Sequence, residues 1–359
     1  MESKYQRVIN GLKQAILAGK YQINEKLPTE TALMEQYQVS RYTVRRAVGE
    51  LENDHFIYRI QGGGMFVQDW QKDWGEQRAN NLIGVISTHI ADYIFPQIIY
   101  GLDQVVSDQD YSLLISNTHN DHQKERQSLL SMLDTNVAGL IIEPTQSALP
   151  NPNMDLYEEL KKKQIPVIFI NATYPNLDFP AVTTDDQRAE KELVEYLFSK
   201  GHQQLVGLFQ IDDIQGVHRM QGFVQAYQEH PQIAYKSNVV MYQSGDSFER
   251  ITTNLLPFLA REDAPTAIVC YNDQLAIQLI DFLKQKQYRV PDDISVVGFD
   301  DYQMDQYISP RLTTMSHEKE GMGQAAGRLM LDLLHHKSIE SIKFKPQLIE
   351  RDSVRNSMI

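Results

Sequence analysis

The sequence predicts two folded parts of different class: an N-terminal α+β winged helix-turn-helix and a C-terminal α/β part with two doubly wound parallel-sheet lobes. Three observations predict it. The chain has 359 residues, more than one domain of about 100–200 residues needs. Its first seventy residues run helix, helix, turn, helix, glycine hairpin. Beyond Asn80, short apolar strands alternate with amphipathic helices, the pattern of parallel sheets covered on both faces.

With 42% hydrophobic and 23% charged residues, 19 Gly and 14 Pro, the composition is that of a folded chain, and it excludes disorder, collagen and coiled coil as the main architecture. The single cysteine, Cys270, leaves no intrachain disulfide and too few thiols for a Cys/His zinc cluster. No Gly-x-x-x-x-Gly-Lys loop or Gly-x-Gly-x-x-Gly turn follows a strand, which favours a neutral ligand over a phosphate; no cofactor and no metal are expected. No apolar run reaches the roughly 18–20 residues of a membrane span, and Met1 to Arg7 lack a signal-peptide core. The expected location is the cytoplasm, with no membrane partner. The net charge of −13, taken alone, argues against a nucleic-acid partner, because phosphates favour basic surfaces. That charge is unevenly placed. Residues 1–70 carry nine Lys or Arg against eight Asp or Glu, and 25 against 39 lie beyond them. Acidity belongs to the C-terminal part, whereas Arg41, Arg45 and Arg46 cluster on one short N-terminal segment.

Tyr5, Val8, Ile9, Leu12, Ile16 and Leu17 fall at helical spacing before Gly19 ends the run. Thr29 is placed to cap a short helix with apolar Ala32, Leu33 and Tyr37. Ser40 is placed to cap the next, whose buried stripe is Val44, Ala47, Val48 and Leu51, so that Arg41, Tyr42, Arg45 and Arg46 lie largely outside it. Arg46 precedes Glu50 by four residues, the spacing of a helical ion pair, and Glu30 sits where a carboxylate stabilises a helix N-terminus. Ile57 to Val67 reads as two strands around Gly62-Gly63-Gly64, where glycine takes positive φ at no steric cost. In this order the second helix of the pair can enter a major groove about 12 Å wide. Arg41, Thr43 and Arg45 then lie on its first turns, with the wing glycines near a phosphate or the minor groove.

The stretch Lys26-Leu27-Pro28-Thr29-Glu30, the run from Val39-Ser40-Arg41 to Arg46-Ala47, then Leu51 and Gly62-Gly63-Gly64-Met65-Phe66-Val67 resemble the GntR-type winged helix-turn-helix over residues 3–68. The resemblance implies double-stranded operator DNA as a partner, contacted by Arg41, Thr43, Arg45 and Gly63. Lys4, Glu30, Tyr42, Gln61 and Gly62 are further candidates for that face. Met65 departs from the small or hydroxyl residue common at its wing position.

Residues 1–68 thus form the expected DNA-binding domain. Residues 69–80 are polar, hold both tryptophans, Trp70 and Trp74, lack a core pattern and read as a linker to a domain over 81–359. Within that domain strands are expected at 82–86, 112–115, 137–142, 166–170, 205–209, 239–242, 267–271 and 295–299. Helices are expected at 97–107, 124–133, 188–198, 217–229, 248–259 and 274–285, among others. Over roughly 280 residues this count suggests two sheets rather than one. Ligands bind such sheets past the carboxyl ends of the strands. There stand Thr88, His89, Glu143, Asn171, Gln210, Asp212, Asn272-Asp273 and Asp300-Asp301, carboxylates and amides able to grip adjacent hydroxyls, with Arg219 as a fixed fork of donors. Tyr93, Phe95, Tyr242, Phe248 and Tyr271 offer flat faces to the C–H side of a sugar ring. Helix caps share these turns: Asn272-Asp273 and Asp185-Asp186 fit as caps with no ligand at all, and position alone does not choose between the two roles.

Ile165 to Asn171, Gly201 to Leu205, Arg219-Met220-Gln221-Gly222-Phe223, Asn272 to Ala276, Ser295 to Asp301 and Pro310 to Thr314 are similar, in order, to the effector domain of the LacI/GalR-type repressors, itself similar to periplasmic sugar-binding proteins. The resemblance spans residues 81–350. It implies a periplasmic-binding-protein-like fold holding a small sugar on Arg219, Asn272 and Asp300, with Thr88 or His89, Glu143 and Asn171 at the other strand ends and His317 near the cleft. That family begins with its own helix-turn-helix and a hinge helix, and neither is present. The uncommon pairing of a GntR-type reader with this sensor resembles a sugar-responsive repressor family, and this implies L-arabinose as effector and a homodimer on a two-fold operator. A sugar that favours one closure angle of the lobes would shift such a dimer between arrangements that fit and misfit the half-sites. Two other classes stand beside it. A sugar-binding protein without DNA function would leave residues 1–70 unexplained, and a sugar-processing enzyme would need a nucleophile with a partnered base, which the sequence does not display.

Overall fold

The computed structural model describes residues 4–53, 56–60, 63–68, 81–91 and 93–357. The chain divides into two compact units, residues 1–80 and 81–359. In the first, α1 (Lys4–Leu17), α2 (Glu30–Tyr37) and α3 (Arg41–Asn53) precede the antiparallel pair β1 (Ile57–Ile60) and β2 (Gly64–Val67). The apolar stripes read from the sequence meet in one core, where Val8 and Leu12 of α1, Leu33 of α2, and Val44, Val48 and Leu51 of α3 are buried with Ile57 and Val67. Thr29 Oγ1 accepts from the Ala32 amide and Ser40 Oγ from the Thr43 amide, each at 3.3 Å, so both expected caps form. Between these helices Gln38 turns the chain in the left-handed region, at φ 53°. One local pairing differs: Arg46 lies over the Tyr5 ring, 4.6 Å from its centre, rather than pairing with Glu50. Met65 is buried under the wing, which accounts for an apolar residue there.

The second unit has two lobes. The chain runs β3 (Leu82–Ser87), α4 (Phe95–Ser107), β4 (Ser112–Asn117), α5 (His122–Thr135), β5 (Gly139–Ile142), α6 (Met154–Lys162), β6 (Val167–Asn171) and β7 (Ala181–Thr184) through the first lobe. It continues with α7 (Asp186–Ser199), β8 (Leu205–Gln210), α8 (Ile214–Glu229), β9 (Ser237–Tyr242), α9 (Phe248–Leu259), β10 (Ala267–Cys270), α10 (Asp273–Gln285), β11 (Ser295–Asp300) and β12 (Thr313–Ser316) through the second. Then α11 (Lys319–Leu334) and β13 (Ile342–Phe344) return to the first lobe, and β14 (Leu348–Ile349) ends in the second. The first sheet has the order β13-β7-β6-β5-β3-β4 and is parallel throughout. The second has the order β14-β12-β11-β10-β8-β9 and is parallel except for β14. Both faces of each sheet are covered by helices, so the central strands are apolar along their length.

All eight strands expected from apolar runs form. The apolar runs do not announce β7, β12, β13 and β14: the first three are short and mix polar with apolar residues, β14 has only two residues, and all four are fixed by the neighbours they pair with. The returning α11 is clamped to α4 through close backbone approach. A Cβ at Gly101 would stand 2.2 Å from the Glu320 carbonyl oxygen, and one at Gly323 would stand 2.0 Å from that of Ile98. Gly323→Ala must part the two helices and is expected to cost about 1–3 kcal/mol. Calorimetry should show the unfolding midpoint lowered by roughly 2–4 °C for each kcal/mol, while Gly245→Ala, whose Cβ meets nothing within 4 Å, leaves it in place.

Candidate ligand site and nucleic-acid interface

Between the lobes lies a cavity of about 230 Å³, below the roughly 300 Å³ at which pockets for drug-sized ligands begin. It sits past the carboxyl ends of β3, β5 and β6 on one side and β8, β10 and β11 on the other. Thr88, His89, Tyr93, Glu143 and Asn171 line it from the first lobe, and Arg219, Asn272 and Asp300 from the second. Phe95 and Tyr271 contribute aromatic wall, whereas Tyr242 and Phe248 belong to the core of the second lobe.

Arg219 on α8 is 1% exposed. Its Nε donates to Asp186 Oδ1 at 2.9 Å, one terminal nitrogen donates to the Tyr271 carbonyl at 2.5 Å, and the other to Asp300 Oδ1 at 3.2 Å. Its guanidinium lies 3.6 Å from the centre of the Phe299 ring. Burial opposes its charge, and the Asp300 and Asp186 carboxylates more than offset that, holding its pKa well above the ordinary value. Glu143 is the counterpart in the first lobe. One of its oxygens accepts from the Thr88 amide at 2.9 Å, Thr88 Oγ1 at 2.7 Å and Ser87 Oγ at 3.0 Å, and the other accepts from Asn171 Nδ2 at 2.8 Å. Burial raises its pKa, and the bonds from Thr88 and Asn171 partly oppose the rise. Tyr93, Asn171 and Asp300 all have positive φ, at 58°, 62° and 110°. Strained residues of this kind persist where the surroundings over-determine them, and they gather at ligand sites.

Asn272 caps α10, with Oδ1 accepting from the Leu275 amide at 2.9 Å, and also lines the cavity, so both readings of its position hold together. Asp185 makes no side-chain cap, and Asp186 turns inward to Arg219 instead. Asp301 pairs with Arg351 at 2.5 Å, and Asp212 accepts from Ser244 Oγ at 2.6 Å, which takes both out of the site. His317 does not line the cavity. It is buried behind Asn171, with Nε2 3.3 Å from Asn171 Oδ1. Burial, with Lys319 and Arg219 nearby, pushes its pKa down to about 3, so the ring is neutral. Asp213, Gln215, Asn120 and Gln274 line the cavity without having been marked from the sequence. Asp213 had a signal, since it caps α8 by accepting from the Gln215 amide at 3.0 Å, but it stands one residue past the strand-end aspartate that drew attention.

On the first unit, Arg41 and Arg45 project from the first turns of α3 with side chains 64% and 59% exposed. Glu30, at the start of α2, lies between them at 3.1 and 3.0 Å. Its slight burial raises its pKa, and the bonds from the two arginines more than reverse this, leaving it below the usual value. Tyr42 is 76% exposed beside them. Thr43 Oγ1 is 2.9 Å from Ser40 Oγ, which sets the helix start as well as a side chain on this face. Gly63 accompanies them at the wing turn, its amide donating to the Ile60 carbonyl at 2.9 Å. Gln61, Gly62, the Lys4 side chain and the expected linker lie outside the described residues. Among the described residues no helix is long and apolar enough to cross a membrane.

Residues 4–67 match the family described as bacterial regulatory proteins, gntR family, and residues 194–354 match a periplasmic binding protein-like domain. The arabinose metabolism transcriptional repressor of Geobacillus stearothermophilus is 38% identical over 357 residues, covering 98% of both chains. The chain belongs to this family of transcriptional repressors. A repressor of the same description from Halalkalibacterium halodurans is 36% identical over 364 residues, covering 98% of this chain and 97% of its own. A LacI family transcriptional regulator from Enterococcus faecium, solved with bound ribose, matches 77% of this chain and 99% of its own with a TM-score of 0.65 at 26% identity. The repressor thus joins a GntR reader to a two-lobed sensor and is not an enzyme.

One buried acid of the sensor predicts a pH effect. Glu190 on α7 is fully buried, both its oxygens lack hydrogen-bond partners among the described residues, and burial pushes its pKa up to about 8. A raised folded-state pKa adds stability at low pH that is lost as pH rises from the ordinary value near 4.5 through about 8. Glu190→Gln should flatten the fall in unfolding midpoint over that window, measured by calorimetry from pH 5 to 9.

Proposed function

We propose that the repressor binds a two-fold operator as a cytoplasmic homodimer and is released from it by a small neutral sugar, L-arabinose first, bound in the cavity between the sensor lobes. The observation that carries this reading is the convergence on one small cavity of a buried guanidinium and of carboxylate and amide groups from both lobes. Hydroxyls suit such a set, each able to donate to Glu143 or Asp300 while accepting from Arg219 or an amide. The charged wall holds three carboxylates, Glu143, Asp213 and Asp300, against one guanidinium, which disfavours phosphorylated or acidic sugars. The relatives named for arabinose metabolism and the related regulator solved with ribose support the same class.

For DNA, Arg41, Tyr42, Thr43 and Arg45 form the reading face with Gly63 at the wing turn, and Gln61, Gly62 and Lys4 join them as DNA contacts. Glu30 spaces the two arginines, which are the forks suited to guanine edges or phosphates. Arg45→Ala should weaken operator binding about 5- to 100-fold at matched salt in a gel shift, as the loss of a specific base contact does. With the parent protein, L-arabinose should release the operator fragment while L-arabinonate does not; an operator complex unchanged by saturating L-arabinose rejects that effector.

A further inference from the structure

Apart from the connecting segments and Lys319 at the start of α11, whose Nζ donates to the Asp300 and Asp301 carbonyls at 2.6 and 2.9 Å, hydrogen bonds cross the cleft at two places among the described residues. At one, the Tyr93 hydroxyl of the first lobe donates to Asp300 Oδ2 at 2.6 Å and accepts from the Asp273 amide at 3.1 Å. At the other, Ser147 of the first lobe meets the start of α8. The Ile214 amide donates to Ser147 Oγ at 3.0 Å, Ser147 Oγ donates to Asp213 Oδ1 at 3.3 Å, and the neighbouring Ala148 amide donates to the Asp212 carbonyl at 3.2 Å. Asp213 faces the cavity, whereas Ser147 is buried and does not line it.

The acceptor capacity of Asp213 is nearly used. An ionised carboxylate offers about four lone-pair sites. The Gln215 amide and Ser147 Oγ occupy two at Oδ1, and the Tyr271 hydroxyl occupies one at Oδ2, at 2.5 Å. About one site is left, on a group in the cavity wall, and the orientation of that group is set partly from the opposite lobe. We propose that Asp213 accepts a hydroxyl of the bound sugar and that Ser147 is its positioning residue, holding the carboxylate in the accepting orientation only while the lobes are closed. A ligand shifts an equilibrium only through its different affinity for the two states, and this contact, made in the closed state alone, supplies such a difference.

The proposal rests on the reading of the cavity as a sugar site, and the full-length protein tests the two separately. The parent, Ser147→Ala, Asp213→Asn and the double variant are titrated calorimetrically with L-arabinose, D-ribose, D-xylose and D-galactose, and their sugar-free operator affinity is measured by gel shift. The proposal expects Ser147→Ala to weaken the sugar that the parent binds about tenfold, with sugar-free operator affinity within twofold of the parent. It expects the double variant to bind no more weakly than Asp213→Asn alone. Ser147→Ala binding as tightly as the parent overturns the proposal, as do fully additive losses in the double variant. Should Ser147→Ala fail to fold, Asp213→Asn carries the decision: undiminished sugar affinity overturns the proposal, and a loss with retained operator binding supports it. A parent that binds none of the four sugars overturns the reading of the cavity, and this proposal falls with it.

Discussion

Arg219 places a guanidinium in the interior of the sensor, and the second lobe is arranged around that charge. Taking a cation out of water costs several kcal/mol unless its donors are satisfied by good geometry. Three separate elements satisfy them: Asp186 from the start of α7, the carbonyl of Tyr271 past β10, and Asp300 from the end of β11. None of these partners is near Arg219 in the chain, so the sheet must hold its register for the charge to be tolerated. The interaction thereby fixes the strand ends at which a ligand can bind, and it fixes Asp300 in a backbone conformation that L residues otherwise avoid. Tyr93 then reaches Asp300 from the first lobe, so the same cluster that carries the buried charge is also where the lobes meet.

The DNA-reading unit handles its charge in the opposite way. Glu30, Arg41 and Arg45 form a partly exposed ion-pair cluster, in a setting where water and salt leave such pairs little net stabilisation. That weakness suits the proposed role of these arginines, in which they exchange Glu30 for DNA. The charge of the sensor is buried and held by fixed partners, whereas that of the reader stands at the surface. The excess of acid over base beyond residue 70 is a property of the sensor, and it lowers the long-range attraction of the whole chain to DNA of any sequence.

Most of the architecture was legible because it rests on periodicity. The stripe on α3 and the apolar runs of the central strands are set by burial, and burial shows in the sequence. β7, β12, β13 and β14 were not legible: Thr313-Thr314-Met315-Ser316 has no apolar run, and it becomes a strand because β11 offers it a parallel edge. In the site, residues immediately past strands were readable from topology, and Arg219 from its resemblance to a family motif. Asp213 was missed because Asp212 beside it satisfies the same positional rule, and only the fold shows which of the two faces the cavity. His317 misled for the converse reason: the crossover brings it close, yet Asn171 stands between it and the cavity. The inward turn of Asp186 also had no sequence signal, because an aspartate before a helix reads as a cap whichever way it points.

In the function proposed above, one small sugar is held between the lobes by Arg219, Asp300, Glu143 and Asn171. A crystal structure of the sensor grown with L-arabinose tests it most directly. The pentose is expected in the cavity, with ring hydroxyls within hydrogen-bond distance of the Arg219 guanidinium and the Asp300 and Glu143 carboxylates and its C–H face toward an aromatic wall. Sugar bound elsewhere, or a cavity holding only water at saturating L-arabinose, would contradict it.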